Sequence, residues 1–270
     1  RIELVTGDIA DPDVIARVTD GVDLVWHLAA VVSSAAEADF DLGMQVNLHG
    51  LMLLLETLRK QGNAPRFVYA SGFAVFGGAL PPVVDDNTVL TPQSSYGMQK
   101  AVGELLVADY ARKGFVDGRV LRLPTVAVRP GKPNKAASTF FSSIIREPLV
   151  GLPAVCPVRP DTRVYLTSPR RIVESMLLGM TLSPQTLGGE RIIPLPGVTT
   201  TVADMVAALQ RVAGDDVAKL IRWEPDATIQ RIVESWPSKV EAPRARALGF
   251  TADADFDAIV RAHIEDTADK

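Results

Sequence analysis

The chain has 270 residues, a formal net charge of -4 at pH 7, 47% hydrophobic and 22% charged side chains. That is ordinary globular usage: it permits a substantial core, in one large domain or a main domain with a smaller appendage, and excludes a disordered polymer. The acidic balance argues against a duplex nucleic-acid surface, and no apolar run approaches the ~20 residues that a membrane span needs. Cys156 is the single cysteine, which excludes an intrachain disulfide framework and fits a reducing cytoplasm. His27, His49 and His263 are scattered without ligand spacing, so no metal site is expected.

Arg1 to Val5 alternates and ends at Thr6-Gly7-Asp8, which predicts a strand leaving a sheet at a turn. Asp11-Pro12-Asp13 then caps a helix through Thr19, with proline in the first turn where its missing N–H costs nothing. Asp23 to Ala30 is a short apolar run suited to a strand covered on both faces. From Asp39 to Lys60 the apolar positions recur at three and four residues, a long helix that ends near Gly62. Arg66 to Ala70 reads as another buried strand, Ser94 to Arg112 as a helix, and Arg119 to Thr125 as a further strand. Strands alternating with helices of this length predict a doubly wound α/β fold around a parallel sheet.

Beyond Pro130 the alternation degrades. Pro148, Pro153, Pro157 and Pro160 break up one stretch, and Ser168-Pro169 opens a helix through Met180 that is expected to return to the sheet. From Ile192 the pattern is strand, turn, helix over Val202 to Val212, strand, then short helices. The expected division is a main domain over 1–130 with 162–182 returning to it, and a smaller substrate-binding lobe over 131–161 and 183–270. Trp26, Trp223 and Trp236 read as packing residues, and His27 as a packed strand residue.

Tyr96 and Lys100 stand four apart, on one face of the Ser94–Arg112 helix. An ammonium near a phenol favours the phenolate, which would bring a tyrosine towards use as a general base for an alcohol. The helix follows the strand that ends at Ser71, where an open sheet presents residues to a ligand.

Together, Gly7-Asp8, His27-Leu28-Ala29-Ala30, Asn47, Ala70 to Gly77, Ser95 to Lys100 and Arg122-Leu123-Pro124 resemble the extended short-chain dehydrogenase/reductase family, which includes nucleotide-sugar epimerases and dehydratases. The resemblance implies a Rossmann-type domain binding NAD, with NADP left open. It makes Tyr96 the catalytic base and Lys100 the group that holds the nicotinamide ribose hydroxyls. Asp8 and Ile9 would contact adenine, Ala29 and Ala30 would let the cofactor pass over the strand, and Leu28 would also bind it. Asn47 would lie near the active site, and Pro124 would pack by the carboxamide. Arg129 to Asn134, Ser168 to Arg170 and Arg244 to Phe250 are most similar to members that oxidise C2 of a four-carbon sugar acid with NAD.

Two departures bear on these expectations. The family's Gly-rich turn after its first strand is not in the sequence, and Arg1 corresponds to the start of the third strand, so the first two βα units are expected to be missing. Gly72 occupies the place where the family carries a substrate-orienting serine or threonine, and Ser71, one residue earlier, is the expected replacement. On the substrate side, Lys132, Asn134, Ser138 and Arg171 are expected in the cleft between lobes, where cations suit a carboxylate or a diphosphate.

These readings imply a cytoplasmic NAD-dependent dehydrogenase of a small sugar acid. Two alternatives stay open: a nucleotide-sugar epimerase or dehydratase, and a non-catalytic dinucleotide-binding protein, which Gly72 and the absent turn would suit. A homodimer through the helices over 39–60 and 94–112 is also expected.

Overall fold

The computed structural model of the chain describes residues 2–131 and 137–268. They form two compact units, one of Arg1–Val75, Leu90–Arg122 and Met176–Ile193, the other of Phe76–Val89, Leu123–Ser175 and Pro194–Lys270. Of the 162–182 stretch, Met176 onward groups with the first unit.

The first unit is built on a four-stranded sheet. Its strands are β1 (Leu24–His27), β2 (Arg66–Gly72), β3 (Asp117–Leu123) and β4 (Ile192–Pro194), and they lie in that order. β1 pairs with β2 in parallel, Leu24 opposite Arg66 and His27 opposite Tyr69. Helix α1 (Pro12–Thr19) starts at Asp11, whose carboxylate accepts from the amides of Asp13 and Val14. The expected helix over Asp39–Lys60 is present, with a change of pitch: Phe40–Gly43 is α-helical, Met44–His49 is π-helical, and α2 (Gly50–Gln61) completes it before Gly62 turns left-handed at φ 76°. Helix α3 (Ser95–Arg112) follows β2.

Side chains alternate across the sheet. Phe67, Tyr69 and Val120 face a core with Leu51, Leu54, Leu55 and Leu58 of α2 and Val107 of α3. Leu121 points the other way, where a Cβ on Gly179 would stand 3.2 Å from it. Helices therefore cover both faces, which is the doubly wound arrangement.

The expected strand over Arg1–Val5 is not formed. Residues 2–8 run without regular structure, and Ile2 and Leu4 are 89% and 93% exposed. An alternating pattern becomes a strand only by pairing, and among the described residues no strand lies beside this segment. The short helix Ser33–Ala38 was not foreseen from the sequence.

The second unit has its own core, where Phe140, Phe141, Ile144 and Ile145 meet Met205, Leu209, Ile259 and Val260. A three-stranded sheet carries the parallel pair Thr125–Val126 and Arg163–Thr167, with Val198–Thr201 antiparallel to the latter. Trp236 packs against Phe141, as expected of a packing residue. Trp26 and Trp223 instead stay 41% and 38% exposed, so neither is the packing residue that was expected. No helix among the described residues is long and apolar enough to cross a membrane.

Charge as well as apolar packing ties the sheet together. Asp117 accepts from the fully buried Arg119 at 2.7 Å and from Arg191 at 3.2 Å, with Arg66 at 3.9 Å. Arg119 also donates to the Leu182 carbonyl at 2.8 Å, fastening β3 to the chain after the helix Pro169–Thr181. Removing the carboxylate leaves a buried guanidinium uncompensated. Asp117→Asn is expected to lower stability by about 3 kcal/mol, measured as the shift of the urea midpoint at constant slope.

Candidate active site

The site grows from how α3 meets the end of β2. Ser94 caps the helix, its Oγ accepting from the Gly97 amide at 3.1 Å, and Glu37 accepts from the Ser95 amide at 2.9 Å. Two of the first-turn donors are thus satisfied. Helix and strand then approach unusually closely. A Cβ on Gly97 would lie 2.1 Å from the Ala74 carbonyl oxygen, and one on Gly103 would lie 2.4 Å from the Tyr69 hydroxyl. Only glycine fits at either place.

This approach lays Tyr96, Lys100 and Glu104 along one strip of α3, against the face of β2 that carries Tyr69 and Ser71. The Lys100 ammonium donates to the Ala70 carbonyl at 2.8 Å. It stands 4.7 Å from the Tyr69 ring centre and 5.6 Å from that of Tyr96. Ser71 donates its hydroxyl to Glu104 at 2.6 Å. Arg122 grips the same carboxylate, Nη2 to Oε2 at 2.7 Å and Nε to Oε1 at 2.9 Å. Ser71, Lys100, Glu104 and Arg122 are all buried. The Ser71 proton is therefore spent on Glu104, and only the lone pairs of its oxygen remain for a ligand.

Burial sets the protonation states. The Tyr96 phenol is pushed up to about 12, because surrounding protein disfavours the phenolate. The sequence-based expectation that Lys100 would lower it is not met. The ammonium is turned to the Ala70 carbonyl, and desolvation outweighs its attraction. Lys100 is itself brought down to about 8 by burial, with the Glu104 carboxylate pulling the other way. His27 is packed as expected, stacked on Phe67 and Tyr69. Burial, followed by the Lys100 charge, lowers its imidazole to about 4.

Asn47 stands in the π-helical turn and is buried. Its amide accepts from the Val31 N–H at 2.8 Å and donates to the Val31 carbonyl at 3.0 Å and to Gln99 at 2.7 Å. It thus anchors the segment after β1, in which Leu28 and Ala29 are exposed and Ala30 half-buried. Asp8 caps its own turn through the Ala10 amide at 2.8 Å, and Ile9 packs towards Gly50 of α2.

The remaining expected residues belong to the second unit. Pro124 is buried there, against the backbone at Gly197. Ser138 is half-buried in the turn Ala137–Thr139. Arg171 is shared between Glu174 and the Thr251 hydroxyl. Lys132 and Asn134 lie outside the described residues.

Residues 1–160 match the NAD-dependent epimerase/dehydratase family. The chain is 56% identical to a D-erythronate dehydrogenase of Cupriavidus necator, over 98% of this chain and 82% of that protein. It is 47% identical to a D-erythronate dehydrogenase of Haemophilus influenzae, over 92% and 79%. This chain belongs to the NAD-dependent epimerase/dehydratase family. The crystal structure described as the nucleoside-diphosphate-sugar epimerase from Agrobacterium tumefaciens superposes with a TM-score of 0.94 at 45% identity, covering 97% of this chain and 78% of that one. The resemblance read from the motifs is thereby borne out, as is the Rossmann-like fold.

The donors present suit the family's dinucleotide. Lys100 gives one of its three N–H donors to Ala70, which leaves others for vicinal hydroxyls, and the exposed stretch after β1 carries only methyl groups at Ala29 and Ala30. Sequence reasoning missed Glu104, Arg122 and Gln99. The spacing of Glu104, four residues beyond Lys100 on the same helix face, was the available signal.

The buried His27 makes a prediction about acid stability. Its folded-state pKa lies below its ordinary 6.5, so its contribution is present above pH 6.5 and is lost as pH falls towards 4. The loss attributable to this residue is expected to be about 3 kcal/mol. Urea unfolding at pH 7 and pH 4 should show it, and His27→Phe, which keeps a ring but cannot titrate, should remove that part of the difference.

Proposed function

We propose that this chain is an NAD-dependent dehydrogenase oxidising a secondary alcohol of a small sugar acid, with C2 of D-erythronate, giving 2-oxo-erythronate, as its reaction. The observation that carries this reading is the 56% identity to D-erythronate dehydrogenase over nearly the whole chain, with Tyr96 and Lys100 on one face of α3. A cytoplasmic location is proposed with it, supported by the single buried Cys156 and the bacterial relatives. A homodimer through α2 and α3 is proposed as well, supported by the exposed apolar side chains of Met52 and Leu105 on those helices.

NAD, when bound, supplies the hydride acceptor. Lys100 would hold the ribose hydroxyls through its remaining ammonium donors, and Leu28, Ala29, Ala30, Asp8, Ile9 and Pro124 would form the rest of the assigned cofactor shell. Asn47 supports that shell by fixing the backbone at Val31. Tyr96 receives the proton of the substrate hydroxyl. Near neutrality the surrounding protein keeps its phenol protonated, so oxidation gains as pH rises and the phenolate is populated. The gain ends where Lys100 gives up its charge, near pH 8. Lys132, Asn134 and Ser138 are assigned to the substrate carboxylate. Arg171 is assigned a supporting part, since its guanidinium already serves Glu174 and Thr251.

A second reading, a sugar-nucleotide epimerase, is favoured by the description of the Agrobacterium structure. Stoichiometry separates the two. The dehydrogenase is expected to form one NADH per D-erythronate consumed, and Tyr96→Phe is expected to lower kcat about 1000-fold. Isomerisation of a nucleoside-diphosphate sugar without net NADH would decide for the epimerase.

Gly72 supplies a further test. Because Ser71 spends its proton on Glu104, the substrate oxygen lacks the hydroxyl that the family places at position 72. Gly72→Ser is expected to raise kcat about 10-fold with little change in KM, as measured by initial rates of NADH formation.

A further inference from the structure

Glu104 is completely buried, and the reaction outlined above gives it no part. It stands four residues after Lys100 and eight after Tyr96, which sets the three side chains in one strip of α3. Strand alternation explains what meets it. Tyr69 and Ser71 of β2 and Val120 and Arg122 of β3 are the residues turned towards α3, so the Ser71 hydroxyl and the Arg122 guanidinium arrive at the same carboxylate. A buried ion pair is a costly way to join a helix to a sheet, and an apolar contact of the same volume often stabilises as well or better. The placement of this pair one helical turn from Lys100 points to work beyond packing.

We propose that Glu104 is a positioning residue that keeps Lys100 in its ammonium form, held in place for that task by Arg122 and Ser71. The groups facing Lys100 make the need clear. His27 comes from β1 and is neutral, Tyr69 from β2 offers a ring face, and Tyr96 from α3 carries a protonated phenol. The Ala70 carbonyl supplies only a dipole. Glu104 is thus the anion that opposes the burial of the ammonium. Arg122 binds both oxygens of the carboxylate in a bidentate grip, which fixes the Glu104 side chain one helical turn from Lys100. Ser71 adds a third donor to the same oxygen pair. The consequence for turnover rests on the dehydrogenase reading; the charge on Lys100 does not.

The test is a titration of Lys100 by NMR in cofactor-free protein carrying 13C-labelled lysine, with the resonance assigned by its loss in Lys100→Met. The unchanged protein is expected to titrate near pH 8. Glu104→Gln is expected to move that midpoint down by about one pH unit. Because the single variant strands the Arg122 charge, Glu104→Gln/Arg122→Leu is measured beside it, and the same downward direction is expected. An unmoved midpoint in a folded variant overturns the proposal. So does a midpoint below neutrality in the unchanged protein, where the carboxylate would already have failed to hold the ammonium. The alkaline limb of NADH formation is then compared. If it shifts with the midpoint, both readings gain. If the midpoint moves while the limb stays, Glu104 keeps its assignment and the part given to Lys100 in turnover falls.

Discussion

The close seating of α3 on the end of β2 is the constraint on which the site depends. Glycine at 97 and 103 lets a helix backbone press against a carbonyl oxygen and a tyrosine hydroxyl at distances that no side-chain-bearing residue would allow. Everything chemical follows from that contact. It turns the Lys100 ammonium onto the Ala70 carbonyl, brings Ser71 to Glu104, and packs enough protein around the half-buried Tyr96 to hold its proton. A looser helix would leave the same residues on the same face, but hydrated and with ordinary acidities.

Burial therefore does two opposing things. It strengthens each electrostatic contact by excluding water, and it penalises every charge that makes those contacts. Tyr96 and His27 answer by staying neutral, while Lys100 is the cation that function asks to remain charged. The Arg122–Glu104 pair is how the fold reconciles these demands: a buried carboxylate one helical turn from Lys100 is compensated by the guanidinium that grips it.

Much of this fold was legible from residue order. The Asp11 cap, the apolar runs of β1 and β2, the helix from Ser95 and the stop at Gly62 are local signals with local causes, and each is where the pattern put it. Arg1–Val5 shows the limit. Its alternation is the same kind of signal, but a strand needs a neighbour, and a pattern cannot supply one. The π-helical turn over Met44–His49 was hidden because the apolar spacing of Asp39–Lys60 is satisfied on either side of a single extra residue in the helix. Glu104 was overlooked for a related reason. A charged residue within a helix reads as a solvated one until the strands on which that helix lies are known.

By itself, the sequence determined the α/β order of elements, the pairing of Tyr96 with Lys100 on one helical face, and the family to which those motifs belong. These are properties of spacing, and spacing along a helix or strand converts directly into direction. Only the tertiary structure decided which charges survive there. The phenol that spacing alone would have placed near an activating ammonium keeps its proton, Ser71 is turned to a buried carboxylate, and Glu104 and Arg122 join the site. Acidity and hydrogen-bond choice depend on how much water the surrounding protein excludes and on which atoms from distant segments meet. The linear order of residues carries neither quantity.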